Sequence, residues 1–131
     1  FFPPFPYALY PHDGSWENSH TVRRSREINE KPIALFETYH KGELPQSASF
    51  LDISAENVLL TVMKEAEDGS GDVILRLVET AGRSCETQLR LPGLHREAAL
   101  TFTPFEIKTV RIPVPENMEI QENNLLEDAM E

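Results

Sequence analysis

Between Asn57 and Leu91 apolar residues return at every second position: Val58, Leu60 and Val62, then Val73, Leu75 and Leu77, then Leu89 and Leu91. That period lays one side of an extended chain against a core, and it is wrong for a helix. The first two runs read as strands. Glu65 to Asp72 between them is acidic residues, Gly and Ser with a single Ala, so it stays in water and supplies the positive φ angles of a reversal; the two strands are expected to form a hairpin. Glu79-Thr80-Ala81-Gly82-Arg83-Ser84 reads as a second Gly-centred turn, and Gln88 and Arg90 alternating with Leu89 and Leu91 as a third strand of the same ribbon. One apolar side needs a second layer to cover it.

The flanks repeat the pattern more weakly. Phe5 to Tyr10 is aromatic and bracketed by Pro, which permits an edge strand only. Pro11 to Ser15 is a turn, and Trp16 to Glu30 predicts one amphipathic helix, stopped before Pro32. Ile33 to Tyr39 reads as a strand or as a segment lying along the sheet, His40 to Gln46 as a loop and Ser49 to Ser54 as a short strand. Leu91 to Leu94 breaks the ladder, Glu97 to Thr103 rebuilds it, and Phe105 to Val114 follows Pro104. Broken alternation from Ile107 to Val110 points to a bulge near Lys108-Thr109. Residues 116–131 form an acidic tail in which Leu125-Leu126 is read as one edge strand. The expected fold is all-β: an antiparallel sandwich of two packed sheets with one short helix near the N-terminus, a single domain over 1–131.

The 131 residues are 40% hydrophobic and 26% charged, enough for one core and not for two. A formal charge of −10 without a basic stripe repels phosphates and anionic lipid, so neither nucleic acid nor membrane is an expected partner. A lone Cys85 has no partner for an internal disulfide, and no apolar run is long enough to span a bilayer; a cytoplasmic setting is expected. The opening Phe1-Phe2-Pro3-Pro4 lacks an initiator Met and a signal-peptide core, and reads as the start of an excised piece.

Little in the chain suggests catalysis. His12 beside Asp13 is half of a zinc site or an acid/base pair, but adjacent side chains of an extended segment diverge and no second cluster supplies the remaining ligands. A turn-stabilising role is the plainer reading. His20, His40 and His95 are scattered among polar residues. Glu65, Glu67, Asp68 and Asp72 are oxygen-rich, yet their spacing is not that of an EF-hand loop, and a solvated hairpin tip does not make a rigid glycosidase pair. Cys85 has no basic neighbour to lower its pKa, and no G-x-S-x-G occurs.

Three segments carry a resemblance: FPYALYPHDGSW (Phe5 to Trp16), VMKEAED with ILRLVETAG (Val62 to Asp68 and Ile74 to Gly82), and LTFTPFEIKT (Leu100 to Thr109). In that order they resemble the C-terminal region of family 38 glycoside hydrolases, the α-mannosidases, most nearly the bacterial and cytosolic branch. One departure stands out: in the family an acidic leucine segment like Asn124-Leu125-Leu126-Glu127 precedes the PFEI-type strand, whereas here it follows. The resemblance implies a full-length enzyme that hydrolyses α-mannosidic bonds with retention, with its zinc and its aspartate nucleophile in an N-terminal catalytic domain absent from this sequence. This chain would be the noncatalytic part that braces that domain, without a cofactor of its own.

Lys64, Arg76 and Glu79, charged residues within or at the ends of apolar strands, are then candidates for interdomain or substrate-proximal roles, with His12 beside them. The partners implied are the catalytic domain and, through it, mannose-containing glycans. Two other classes stay open. One is an independent carbohydrate-binding module stacking sugars on Tyr7, Tyr10, Trp16 or Tyr39, and the other is a structural domain making homo-oligomer contacts.

Overall fold

The computed structural model describes residues 7–130. One helix, α1 (Thr21–Asn29), precedes seven strands: β1 (Asp52–Ile53), β2 (Val58–Glu65), β3 (Val73–Glu79), β4 (Cys85–Leu91), β5 (Arg96–Phe102), β6 (Ile107–Ile112) and β7 (Gln121–Asn123). They form two antiparallel sheets, a three-stranded one in the order β1-β4-β5 and a four-stranded one in the order β2-β3-β6-β7. This is the all-β sandwich that the period-2 pattern predicts.

The core lies between the layers. Val58, Leu75, Leu77, Val110 and Ile112 of the larger sheet meet Leu89, Leu91, Leu100 and Phe102 of the smaller one. Each such side chain contributes roughly 1.5–3 kcal/mol on burial, so these nine dominate over α1, which buries no residue at all.

Several sequence expectations are corrected. The third strand does not continue the β2–β3 ribbon: Glu79–Ser84 carries the chain across to the other sheet, and β4 opens the covering layer. The face change expected near Lys108-Thr109 is absent, since β3 and β6 pair without a break from Val73↔Ile112 to Val78↔Ile107. Lys108 simply occupies an inward position at the rim, its stem beside the Phe102 ring (5.7 Å from ammonium to centroid) and its charge reaching Glu122 and Glu106, which hides the alternation. The bulge is in β2, where the register shifts between Leu60 and Val62. Thr61 is the extra residue, and its hydroxyl donates to the Arg76 carbonyl (3.0 Å). Val62 is thereby turned to the outer face, opposite Arg76, rather than sharing a side with Val58 and Leu60.

The termini differ as well. The last strand is Gln121–Asn123, and Leu125-Leu126 lie in the turn beyond it. The helix starts at Thr21, not Trp16, after a left-handed His20 (φ 55°). Residues 7–10 and Ile33 to Tyr39 are not strands, while Phe5 and Pro6 of the expected N-terminal strand lie outside the described residues.

Candidate functional site

Lys64 and Arg76 come together on the outer face of the four-stranded sheet, where Lys64 pairs with Ile74 and Val62 with Arg76 across the β2–β3 ladder. The turn after β7 folds over them. Glu127 from that turn meets the Lys64 ammonium at 2.6 Å, and Arg76 donates to the Leu125 carbonyl at 2.8 Å. The Lys64 ammonium and the Glu67 N–H hold the Glu127 carboxyl below the usual glutamate range. Glu67 also accepts from Lys64 at 2.6 Å.

One row on this face is under-satisfied. Arg76, Thr109 and Asn123 stand directly opposite one another across β3, β6 and β7. Arg76 Nε, Thr109 Oγ1 and Asn123 Oδ1 are all buried without a hydrogen-bond partner among the described residues. Beside the row a cleft of about 500 Å³ opens between Ile107, Leu125, Leu126 and Met130.

Glu79 is elsewhere, and its role is different. The last residue of β3 points inward and is fully buried. Oε1 accepts from the Asn57 amide (2.8 Å) and Ala81 N–H (2.7 Å), and Oε2 from the N–H groups of Gly82 (2.8 Å), Arg83 (3.2 Å) and Phe105 (2.9 Å). Burial pushes this carboxyl's pKa up, but the surrounding donors outweigh it and hold the group below its ordinary value. Glu79 therefore ties the crossover between sheets to the start of β6. Gly82 completes the knot at φ +68°, with the Phe105 ring where a Cβ would stand, 2.6 Å from Cζ.

His12 joins neither group. It is exposed before α1, its ring 5.8 Å from that of Tyr10. The acidic hairpin tip is also occupied. Arg111 of β6 reaches Asp72 and Asp68, each at 2.7 Å, and Ser70 at 2.9 Å. Val114 N–H and Arg111 hold Asp72 low, and Ser70 with Arg111 draws Asp68 down to about 2. Among the described residues no three His, Cys, Asp or Glu are grouped to hold a metal ion. Arg111, Glu127, Asn57 and Asn123 escaped the sequence reading because each meets its partner across the sheet or across a loop, and no local spacing announces that.

The helix is attached through polar contacts. Arg23 donates to the Glu56 carbonyl (3.2 Å), and Arg83 reaches Asn18 (3.3 Å). A cleft of about 530 Å³ separates Arg23, Arg26, Glu27 and Glu30 of α1 from Leu51 to Ile53 and Val58 to Leu60.

No family model matches the chain, and no solved structure matches it. A stretch of 84 residues, 60% of this chain, is 29% identical to alpha-mannosidase G of Dictyostelium discoideum. It spans 7% of that protein, so nearly all of alpha-mannosidase G lies outside the match.

Proposed function

We propose that this chain is the noncatalytic C-terminal β-sandwich domain, residues 1–131 with an acidic tail from 116, of a retaining α-mannosidase of glycoside hydrolase family 38. The observation that carries the reading is the 84-residue similarity to part of an α-mannosidase. The electrostatics point the same way. A glycosidase's general acid needs a carboxyl whose pKa is raised. Asp68, Asp72, Glu79, Glu106 and Glu127 are all held below their ordinary values by donors of this same chain. They are committed to structure.

In this reading the nucleophile and the zinc reside in the catalytic domain, a cytoplasmic protein acts on mannose-containing glycans, and this sandwich braces the site. The outer face with Lys64 and Arg76 is the surface offered to the catalytic domain, while Glu79 acts from inside by fixing the crossover. The test is hydrolysis of p-nitrophenyl α-mannoside by the gene product that contains the chain, by that product without these residues, and by the chain alone. Activity in the first, its loss in the second and none in the third are expected. Turnover by the isolated chain, or none by the longer protein, sinks the proposal.

A further inference from the structure

Between α1 and β1 the chain runs for some twenty residues without helix or strand, and it carries a run of exposed large apolar side chains. Ile33 is 90% exposed, Leu35 88%, Phe36 105% and Tyr39 102%. A connection this long without structure of its own is uncommon in a compact domain, and large apolar side chains gathered on one are the mark of a contact surface.

Two features say what kind of surface it fits. Ile33 and Leu35 fall on one side of an extended chain and Ala34 and Phe36 on the other, the pattern of a strand buried on both faces; Glu37 and Thr38 then interrupt it, one on each side, before Tyr39. No backbone N–H or C=O from Lys31 to Ala48 bonds to other backbone among the described residues, and within Ile33–Tyr39 only the Thr38 N–H is engaged, by its neighbour Glu37 at 2.7 Å. A segment with β-favouring side chains and a backbone that makes no ladder is complementary to a sheet edge.

The edges of this sandwich do not match it. β5 is wet on one face, with Glu97, Ala99 and Thr101 exposed, so pairing there would leave one apolar side of the segment in water. β1 and β7 are two and three residues long, and along β2 the Val58–Leu60 part faces the α1 cleft while Met63 and Glu65 are exposed. A second copy of this chain therefore offers no suitable edge. The similar stretch of alpha-mannosidase G, by contrast, sits in a protein nearly all of which lies elsewhere.

We propose that Ile33–Tyr39 is a docking strand that adds to a sheet edge, enclosed between two layers, in another domain of the same polypeptide. The choice of partner rests on reading the chain as part of a longer enzyme. Covalent attachment keeps the local concentration of the segment high, so seven residues suffice to hold the domains in register.

Hydrogen exchange tests this on two samples, the 131-residue chain and the longer gene product. In the chain alone the amides of residues 33–39 should exchange at unprotected rates, and in the longer protein about a hundredfold or more slower. Phe36→Asp should leave the melting of the isolated chain unchanged and lower that of the longer protein. Equally fast exchange in both samples overturns the inference. So does protection already present in the isolated chain together with concentration-dependent sedimentation, which would make a second copy the partner. A gene encoding nothing beyond these residues overturns it too. Protection in a longer protein that cleaves no α-mannoside would uphold the docking strand and discard the enzymatic reading.

Discussion

Removing the Glu79 carboxylate should do more damage than any other single polar change. Five donors converge on it, four of them backbone N–H groups of the crossover and of the segment entering β6. Leaving a buried donor unpaired costs about 1–3 kcal/mol, and water entering the space left by Glu79→Ala would recover part of that. A net loss of about 4 kcal/mol follows, a large share of the roughly 5–15 kcal/mol that holds a domain folded. With a urea slope of about 2 kcal/mol/M the midpoint should fall by about 2 M. Glu79→Gln is gentler: its carbonyl can keep the Oε2 donors, and a flipped Asn57 amide can accept from the new NH2, leaving Ala81 N–H unpaired at about 2 kcal/mol.

The pH dependence separates this account from one based on packing. Because the folded-state pKa of Glu79 is lowered, its stabilisation is complete above the ordinary glutamate value of about 4.3 and is lost as pH falls through the folded value. The gap between wild type and Glu79→Gln, read by urea denaturation, should be widest near neutrality and narrow as pH falls below about 4.3. A gap that is the same at both ends, or a Glu79→Ala cost under about 1 kcal/mol, would refute the reasoning.

Three further changes probe neighbouring contacts. Gly82→Ala should cost about 2 kcal/mol, part from φ +68° and part from displacing the Phe105 ring, and adding Phe105→Ala should recover the second part in a double-mutant cycle. Arg111→Ala should lower stability by about 2 kcal/mol and speed amide exchange at Gly69 to Gly71, because it frees the hairpin tip from β6. The Arg111 contribution should fade in acid, as pH drops below the ordinary aspartate range and through the lowered values of Asp72 and Asp68, and a contribution independent of pH would contradict it. Thr109→Val removes a hydroxyl that is buried without a partner among the described residues, so calorimetry should find it neutral or stabilising by up to about 1 kcal/mol; a clear loss would mean the hydroxyl is satisfied after all.

The alternation of Val73, Leu75 and Leu77, of Leu89 and Leu91, and the Gly-rich tip before Asp72 determined strands, one hairpin and the need for a second layer, since side-chain period is a local property of the chain. The nature of the Glu79–Ser84 connection was not local. A Gly-centred turn looks the same whether the next strand pairs or crosses, and what decides is a glutamate collecting N–H groups from both Gly82 and Phe105. The β2 bulge was illegible for a similar reason, because Thr61 declares itself only against the Arg76 carbonyl of the neighbouring strand. The candidate residues divide the same way: sequence marked Lys64, Arg76 and Glu79 as charges in apolar strands, and tertiary structure alone set the first two on an outer face under Glu127 and the third inside the fold. Hydrophobic period is written in neighbouring residues, whereas the partners of a charge are chosen by whatever the folded chain brings within about 3 Å.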